Sequence, residues 1–190
     1  MSPPKLYPLF LKLEGRRVLV VGGGIVAQRK VRDLVRAGAQ VDVIAPKASS
    51  GVRRLATEGT VTWQARSFVP SDAEGAWLVV AAADDPAVQR GVAEAAAAQR
   101  TFFVAVDDPP NSSAYSASIV RRGPFILAIS SGGATPALTR LLREILEQVL
   151  PDEEWVQAAR ALRARWRKEH TPMADRFGEL VRAFKQRAGE

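Results

Sequence analysis

The sequence predicts an α/β fold: a doubly wound parallel sheet, then a small dimerisation segment and a helical C-terminal domain. Three observations carry this reading. Over the first 112 residues, short runs rich in β-branched residues alternate with stretches of helix length. Several of those runs, WLVVAA above all, show no polar alternation. Beyond residue 112 the alternation gives way to long amphipathic stretches. Alternating strands and helices imply parallel βαβ units. Strands without a polar face imply a sheet covered by helices on both sides.

In chain order, strands are expected at RVLVV (17–21), VDVIA (41–45), VTWQA (61–65), WLVVAA (77–82) and FFVAV (102–106). Helices fill 25–38, 50–59 and 86–99, the last built around AEAAAA. Right-handed crossovers wind such units into one sheet. PPNSSAYSAS (109–118) reads as a loop-rich bridge, and FILAIS (125–130) as a further strand. In PALTRLLREILEQVL (136–150), the residues Leu138, Leu141, Leu142, Ile145, Leu146, Val149 and Leu150 form one apolar stripe. Thr135 suits the N-cap of that helix and Pro136 its first position. Arg140 with Glu144, and Arg143 with Glu147, are spaced to pair on the wet face. Pro151 ends it, the acidic DEE opens a helix running to about Lys168, and Thr171-Pro172 restarts a last one ending near Arg187. The expected division is a dinucleotide-binding domain over 1–112, a short linking or dimerisation segment over 113–150 and a helical domain over 151–190.

Composition removes more chemistry than it suggests. With no cysteine and a single histidine, His170, the 190-residue chain offers no disulfide, cysteine nucleophile, thiolate zinc or multi-histidine metal site. No metal site is expected, and His170 reads as an exposed linker residue. Carboxylates lead the candidates for acid–base work. No apolar stretch approaches the roughly 20 residues of a membrane span, and no secretory signal is evident, so a cytoplasmic protein without a membrane partner is expected. The net charge of +7 divides as +3, +2 and +2 over 1–112, 113–150 and 151–190. A nucleic-acid binder concentrates its charge in a stripe. The diffuse excess here fits a small polyanionic ligand better.

The most specific stretch is VLVVGGGIVAQRKVRDLVRAG, which places Gly22, Gly24 and Ala27 in G-x-G-x-x-A spacing between strand and helix. The first glycine permits a tight turn, the second admits a pyrophosphate against the backbone, and the small third residue lets helix and strand pack closely. The helix N-terminus then presents N–H groups to the phosphates. This is the signature of a Rossmann-type fold, and a dinucleotide is the expected cofactor. The carboxylate usually found about 20 residues on, holding the adenosine ribose, is missing. Asp42 lies mid-strand, and Ala45, Pro46 and Lys47 occupy the tip. Local sequence therefore leaves NAD and NADP both open. In AAADDPAVQ, Asp84 or Asp85 caps the next helix. In VAVDDPPNSS, Asp107 at the strand edge is either a turn former or an acid–base group. SSGGATP (130–136) is either an anion-binding helix start or a capped turn.

Together these residues resemble the precorrin-2 dehydrogenases, the family of the N-terminal module of siroheme synthase and its free-standing relatives. The markers are YPLFLKLEGRRVLVVGGGIVAQRKVRDLVRAGAQVDVIAP, VAAADDPAVQ, AVDDPP and SIVRRGPFILAISSGGATPALTRLLRE, in this order over most of residues 5–150. The resemblance implies NAD-dependent oxidation of precorrin-2 to sirohydrochlorin in siroheme biosynthesis, by a free-standing enzyme without a methyltransferase module. It implies Asp107 as general acid–base, and Gly22, Gly24, Ile25, Val26, Pro46 and Lys47 at the cofactor. It further implies Ser131, Gly132 and Arg121 at the tetrapyrrole, and a homodimer built through the middle segment. Arg122, Arg140 and Arg143 are further candidates for the substrate carboxylates. The stretch SSAYSAS departs from the family, which often has an aromatic and a proline before SIVRRG. Two other readings stay open: a bifunctional enzyme that also inserts iron into sirohydrochlorin, and a non-catalytic NAD-sensing module.

Overall fold

A computed structural model of the chain describes residues 4–106, 108–150 and 153–188. Five strands, β1 (Arg17–Val21), β2 (Gln40–Ile44), β3 (Thr62–Gln64), β4 (Leu78–Ala81) and β5 (Phe102–Ala105), form one sheet in the order β3-β2-β1-β4-β5. Every pairing in it is parallel. Helices α1 (Ile25–Arg36), α2 (Ser50–Thr57) and α3 (Pro86–Ala98) make the crossovers. The doubly wound sheet expected from the alternating runs is what forms.

Burial explains the absence of polar alternation in β1. Val18 and Val20 join Ala27 and Val31 of α1, Val52 of α2, and Val41 and Val43 in one core. Leu19 and Val21 face the other way, against Ile44, Val79, Val92, Ala95, Ala96 and Phe103. A strand with a core on each side has no wet face to mark in its sequence. The alanines of α3 belong to the second core, where small side chains let a helix approach the sheet closely. Asp85, not Asp84, caps α3, its carboxylate accepting the Ala87 N–H at 2.7 Å.

Strand β5 lies at one edge of the sheet. Ser113 Oγ accepts the Phe103 N–H at 2.8 Å, and Ser112 Oγ accepts the Ala105 N–H at 2.9 Å. The N–H groups of Ser113 and Ala114 return to the Phe103 carbonyl. The bridge segment thus closes a strand edge with side-chain hydroxyls.

At the amino end of the sheet, Arg17 donates to the Asp42 carboxylate at 2.7 Å, to the Asp72 carbonyl at 3.0 Å and to the Glu74 carbonyl. Arg66 makes a two-pronged pair with Asp72, one arm at 2.8 Å, and the Val69 N–H adds a further bond to the same carboxylate.

Backbone contacts divide the chain into two compact units, Met1–Ser116 and Ala117–Glu190. Residues 117–150 therefore share a unit with the helices that follow. The second unit contains an antiparallel hairpin, β6 (Ser118–Arg122) and β7 (Phe125–Ile129), which turns at Gly123 with φ +52°. Only β7 was expected; SIVRR reads as a strand less clearly, with its two consecutive arginines. Helix α4 (Pro136–Val149) begins at Pro136 as expected, but the Thr135 side chain makes no capping bond. Helices α5 (Glu153–Lys168) and α6 (Met173–Ala188) pair through the rings of Trp155 and Phe184, 4.3 Å apart. Glu179 joins them as well, accepting from Trp166 at 2.8 Å and from Arg165 at 2.6 Å. His170 is exposed, with φ +54°, in the turn between them.

The Asp72 network sets an acid dependence. Arg66, the Val69 N–H and the charge of Arg17 hold the Asp72 carboxyl below the usual carboxylate range. A group with a lowered folded pKa stabilises the fold above its unfolded pKa, and that contribution is lost as the pH falls through the folded value. Asp72→Asn should therefore lower the urea midpoint at neutral pH and flatten its fall below about pH 4. Midpoints measured across that range should converge at acid pH; parallel curves would contradict the assignment.

Candidate functional site

The order of the sheet reverses at β1, which is flanked by β2 on one side and β4 on the other. Ligands of such sheets sit beyond the carboxyl ends of the strands at that point. A series of backbone bonds ties those ends together: Gly22 N–H to the Ile44 carbonyl at 2.9 Å, Ala82 N–H to Val21 at 2.7 Å, and Val106 N–H to Ala81 at 2.9 Å. Gln89 of α3 reinforces the far side, its Nε2 donating to the Ala83 carbonyl at 2.8 Å and more weakly to that of Val106. Gln89 is not identifiable from the sequence, because its role depends on where two strands end.

The three glycines serve different ends. Gly22 has φ +117°, and a Cβ there would overlap the Ala82 carbonyl. A Cβ on Gly23 would overlap the Lys47 carbonyl and lie 2.9 Å from Ala48 Cα. Gly24, the N-cap residue of α1, has φ −72° and open space where a side chain would stand. Two of the glycines thus relieve crowding within the protein, and the third leaves open space beside a helix start. Spacing identified Gly22 and Gly24 but not Gly23, whose crowding comes from the loop after β2.

That loop is pinned to the glycine turn. The Ser49 N–H donates to the Gly23 carbonyl at 2.7 Å, and Ser49 Oγ bonds Gln28 Oε1 of α1 at 2.7 Å. The same Oγ accepts the Val52 N–H and caps α2. On the other flank, Trp63 Nε1 donates to the Ala45 carbonyl at 3.0 Å. Pro46 and Lys47, between these anchors, are exposed, as are Ile25 and Val26 at the start of α1. Ala27 is fully buried and does pack the helix against the sheet.

The chemistry of this corner suits an anion. The N–H groups of the first turn of α1 have no intrahelical acceptor. Gly24 offers no capping side chain, and no acidic residue occupies that turn. The aligned peptide dipoles add positive potential at the same place. A pyrophosphate fits here, its bulk taken by the space over Gly24. Asp42 serves elsewhere, since it lies mid-strand in β2 and its carboxylate accepts from Arg17, the first residue of β1.

Asp107 lies outside the described residues. Its neighbour Asp108 accepts from Asn111 Nδ2. In the second unit, the 130–135 loop has Gly132 and Gly133 at φ +62° and +85°. Ser130 Oγ accepts the Gly132 N–H at 3.1 Å, and Ser131 Oγ accepts the Thr135 N–H at 3.0 Å. The Ser131 hydroxyl thus helps shape the turn. Of the four arginines singled out, Arg140 pairs with Glu144, Arg143 with Glu147, and Arg122 donates to the Glu147 carbonyl. Arg121 is exposed and makes no ion pair among the described residues. Among those residues no three His, Asp or Glu side chains gather to hold a metal, and no helix is long and apolar enough to cross a membrane.

A family model described as "Putative NAD(P)-binding" matches residues 9–118. The chain is 45% identical over 171 residues to a protein named siroheme synthase 3 from Aeromonas hydrophila. It is 43% identical over 171 residues to the siroheme synthase of Citrobacter koseri. Each alignment covers 89% of this chain but only 36% and 37% of the relative, so the chain spans about a third of their length. Among solved structures, "SirC, precorrin-2 dehydrogenase" superposes with a TM-score of 0.74 at 25% identity, covering 93% of this chain and 88% of that one.

Two of the three glycines make separable predictions. Gly23→Ala meets backbone and should cost at least about 2 kcal/mol of stability. Gly24→Ala meets nothing and has an ordinary φ, so its stability should change by less than about 1 kcal/mol. It should nevertheless weaken dinucleotide binding by about tenfold or more, because the added methyl occupies the space for the pyrophosphate. Thermal unfolding and calorimetric titration of both variants check the pair.

Proposed function

The chain belongs to the NAD(P)-binding family, and from that premise we propose that it is an NAD-dependent dehydrogenase converting precorrin-2 to sirohydrochlorin on the route to siroheme. The observation that carries the reading is the likeness to a precorrin-2 dehydrogenase over nearly the whole of both chains. The siroheme synthases, to which the chain is more closely identical, support the same chemistry over a third of their length.

In this reading the turn at Gly22 to Gly24 and the first N–H groups of α1 hold the pyrophosphate of NAD. Ile25 and Val26 border it with apolar surface, and Pro46 and Lys47 border the adenosine. NAD supplies the acceptor for a hydride. Oxidation removes a hydride and a proton from the macrocycle, and Asp107 takes the proton. In sequence Asp107 follows the carboxyl end of β5 by two residues, and ligands of such sheets sit beyond those ends, which supports that role. Ser131, Gly132 and Arg121 bind the tetrapyrrole; among the described residues Arg121 makes no ion pair, whereas Arg122, Arg140 and Arg143 are engaged with a nearby carboxylate or carbonyl. The peripheral carboxylates of such a substrate suit guanidinium and the overall positive charge.

The functional unit in this reading is a homodimer. Support comes from α4, where Leu138, Leu141, Leu142, Ile145 and Val149 are exposed along one row, and from Ile119, Phe125 and Ile126 of the hairpin, exposed as well. Contiguous apolar surface of this extent marks an interaction surface. The cytoplasm is its compartment, consistent with a cysteine-free chain.

Incubation with precorrin-2 and NAD without oxygen should yield one NADH for each sirohydrochlorin formed. No NADH from a protein that binds NAD would overturn the dehydrogenase reading. Asp107→Ala should slow turnover by about 100-fold or more, with the dissociation constant for NAD changed less than about twofold. Near-normal turnover would remove Asp107 from the mechanism.

A further inference from the structure

Dinucleotide folds select NAD by a carboxylate at the end of the second strand. It binds the adenosine ribose hydroxyls and repels the extra phosphate of NADP. This chain has no carboxylate from Ala45 to Thr57, while Lys47, Arg53 and Arg54 fall in the same stretch. The two carboxylates that bracket it are committed. Asp42, mid-strand in β2, is held by Arg17, and Glu58 faces Arg54 at the far end of α2, 3.6 Å away.

The position of Lys47 does not depend on a loose loop. Its carbonyl is packed on Gly23, Ala45 is held by the Trp63 indole, and Ser49 is held by Gly23 and Gln28. The backbone on either side is thus tied to the turn that would hold the pyrophosphate. The ammonium itself is exposed and makes no ion pair among the described residues. Burying no partner, it pays no desolvation cost before meeting an anion.

We propose that this corner accepts a dinucleotide phosphorylated on the adenosine ribose as readily as an unphosphorylated one, with Lys47 the residue that sets the balance. The inference rests on the dinucleotide reading of the glycine turn, and deepens it. No carboxylate from Ala45 to Thr57 repels the added phosphate, and Lys47 supplies a cation on a backbone tied to the glycine turn. The chemistry recognised is a ribose 2′-phosphate, in either redox state of the nicotinamide.

The test is calorimetric titration of the full chain with NAD and with NADP at one moderate salt concentration. The two dissociation constants should agree within about fivefold, whereas a rim carboxylate would separate them by about 100-fold or more. Lys47→Glu, on an exposed side chain, should raise the ratio of the NADP constant to the NAD constant by about tenfold or more. Lys47→Arg should leave that ratio within about threefold of the wild-type value. NAD binding with NADP rejected by the wild-type chain would overturn the inference and leave the dinucleotide reading standing. So would a ratio insensitive to Lys47→Glu. Binding of neither dinucleotide would overturn both.

Discussion

Beyond the carboxyl end of β1 the backbone has no room for a side chain at two successive positions. Gly22 abuts the segment leaving β4, and Gly23 abuts the segment leaving β2. Strand ends belonging to three different crossovers therefore converge on one turn. Each is held by a backbone hydrogen bond to its neighbour, and the side chains of Trp63 and Gln89 add to those bonds. Interiors built this way are not continuously deformable. The geometry at Gly24, the direction of α1 and the level of Lys47 all follow from this convergence. A shift in one crossover would be felt in the other two.

The sheet itself was legible because burial leaves a compositional trace. Val18 to Val21 must fill two cores, so the run is apolar throughout, and the glycines mark where it stops. Helix starts were legible where chemistry marks them, with Pro86 behind Asp85 and Pro136 at the start of α4, whereas α1 ends at Arg36 and not at residue 38. The hairpin strand β6 was not, since only Val120 of its five residues is buried and its arginines read as a surface loop. The contact boundary after Ser116 rather than at residue 112 has a similar origin. Ser112 to Ala114 bond back to β5, and no composition shift reports a hydrogen bond.

The glycine turn was legible in its spacing but not in its division of labour. Spacing named Gly22, Gly24 and Ala27, and each occupies a distinct physical role. It passed over Gly23, Ser49, Gln28 and Gln89, whose functions arise from contacts between segments far apart in sequence. The absent ribose carboxylate was visible as a gap in the sequence. Only the pairing of Asp42 with Arg17 turns that gap into a property of the molecule, because it shows where the available acid is spent.

The serine-closed edge of β5 bears on how copies of this chain can associate. A sheet lengthens sideways when a foreign strand takes up N–H and C=O groups left open on its border. Here the outward N–H groups of Phe103 and Ala105 already point into hydroxyls, and the opposite border, β3, is only three residues long. Growth by strand addition has little purchase on either side. The dinucleotide-type unit is in that sense a finished tile, and self-association is left to surfaces made of side chains.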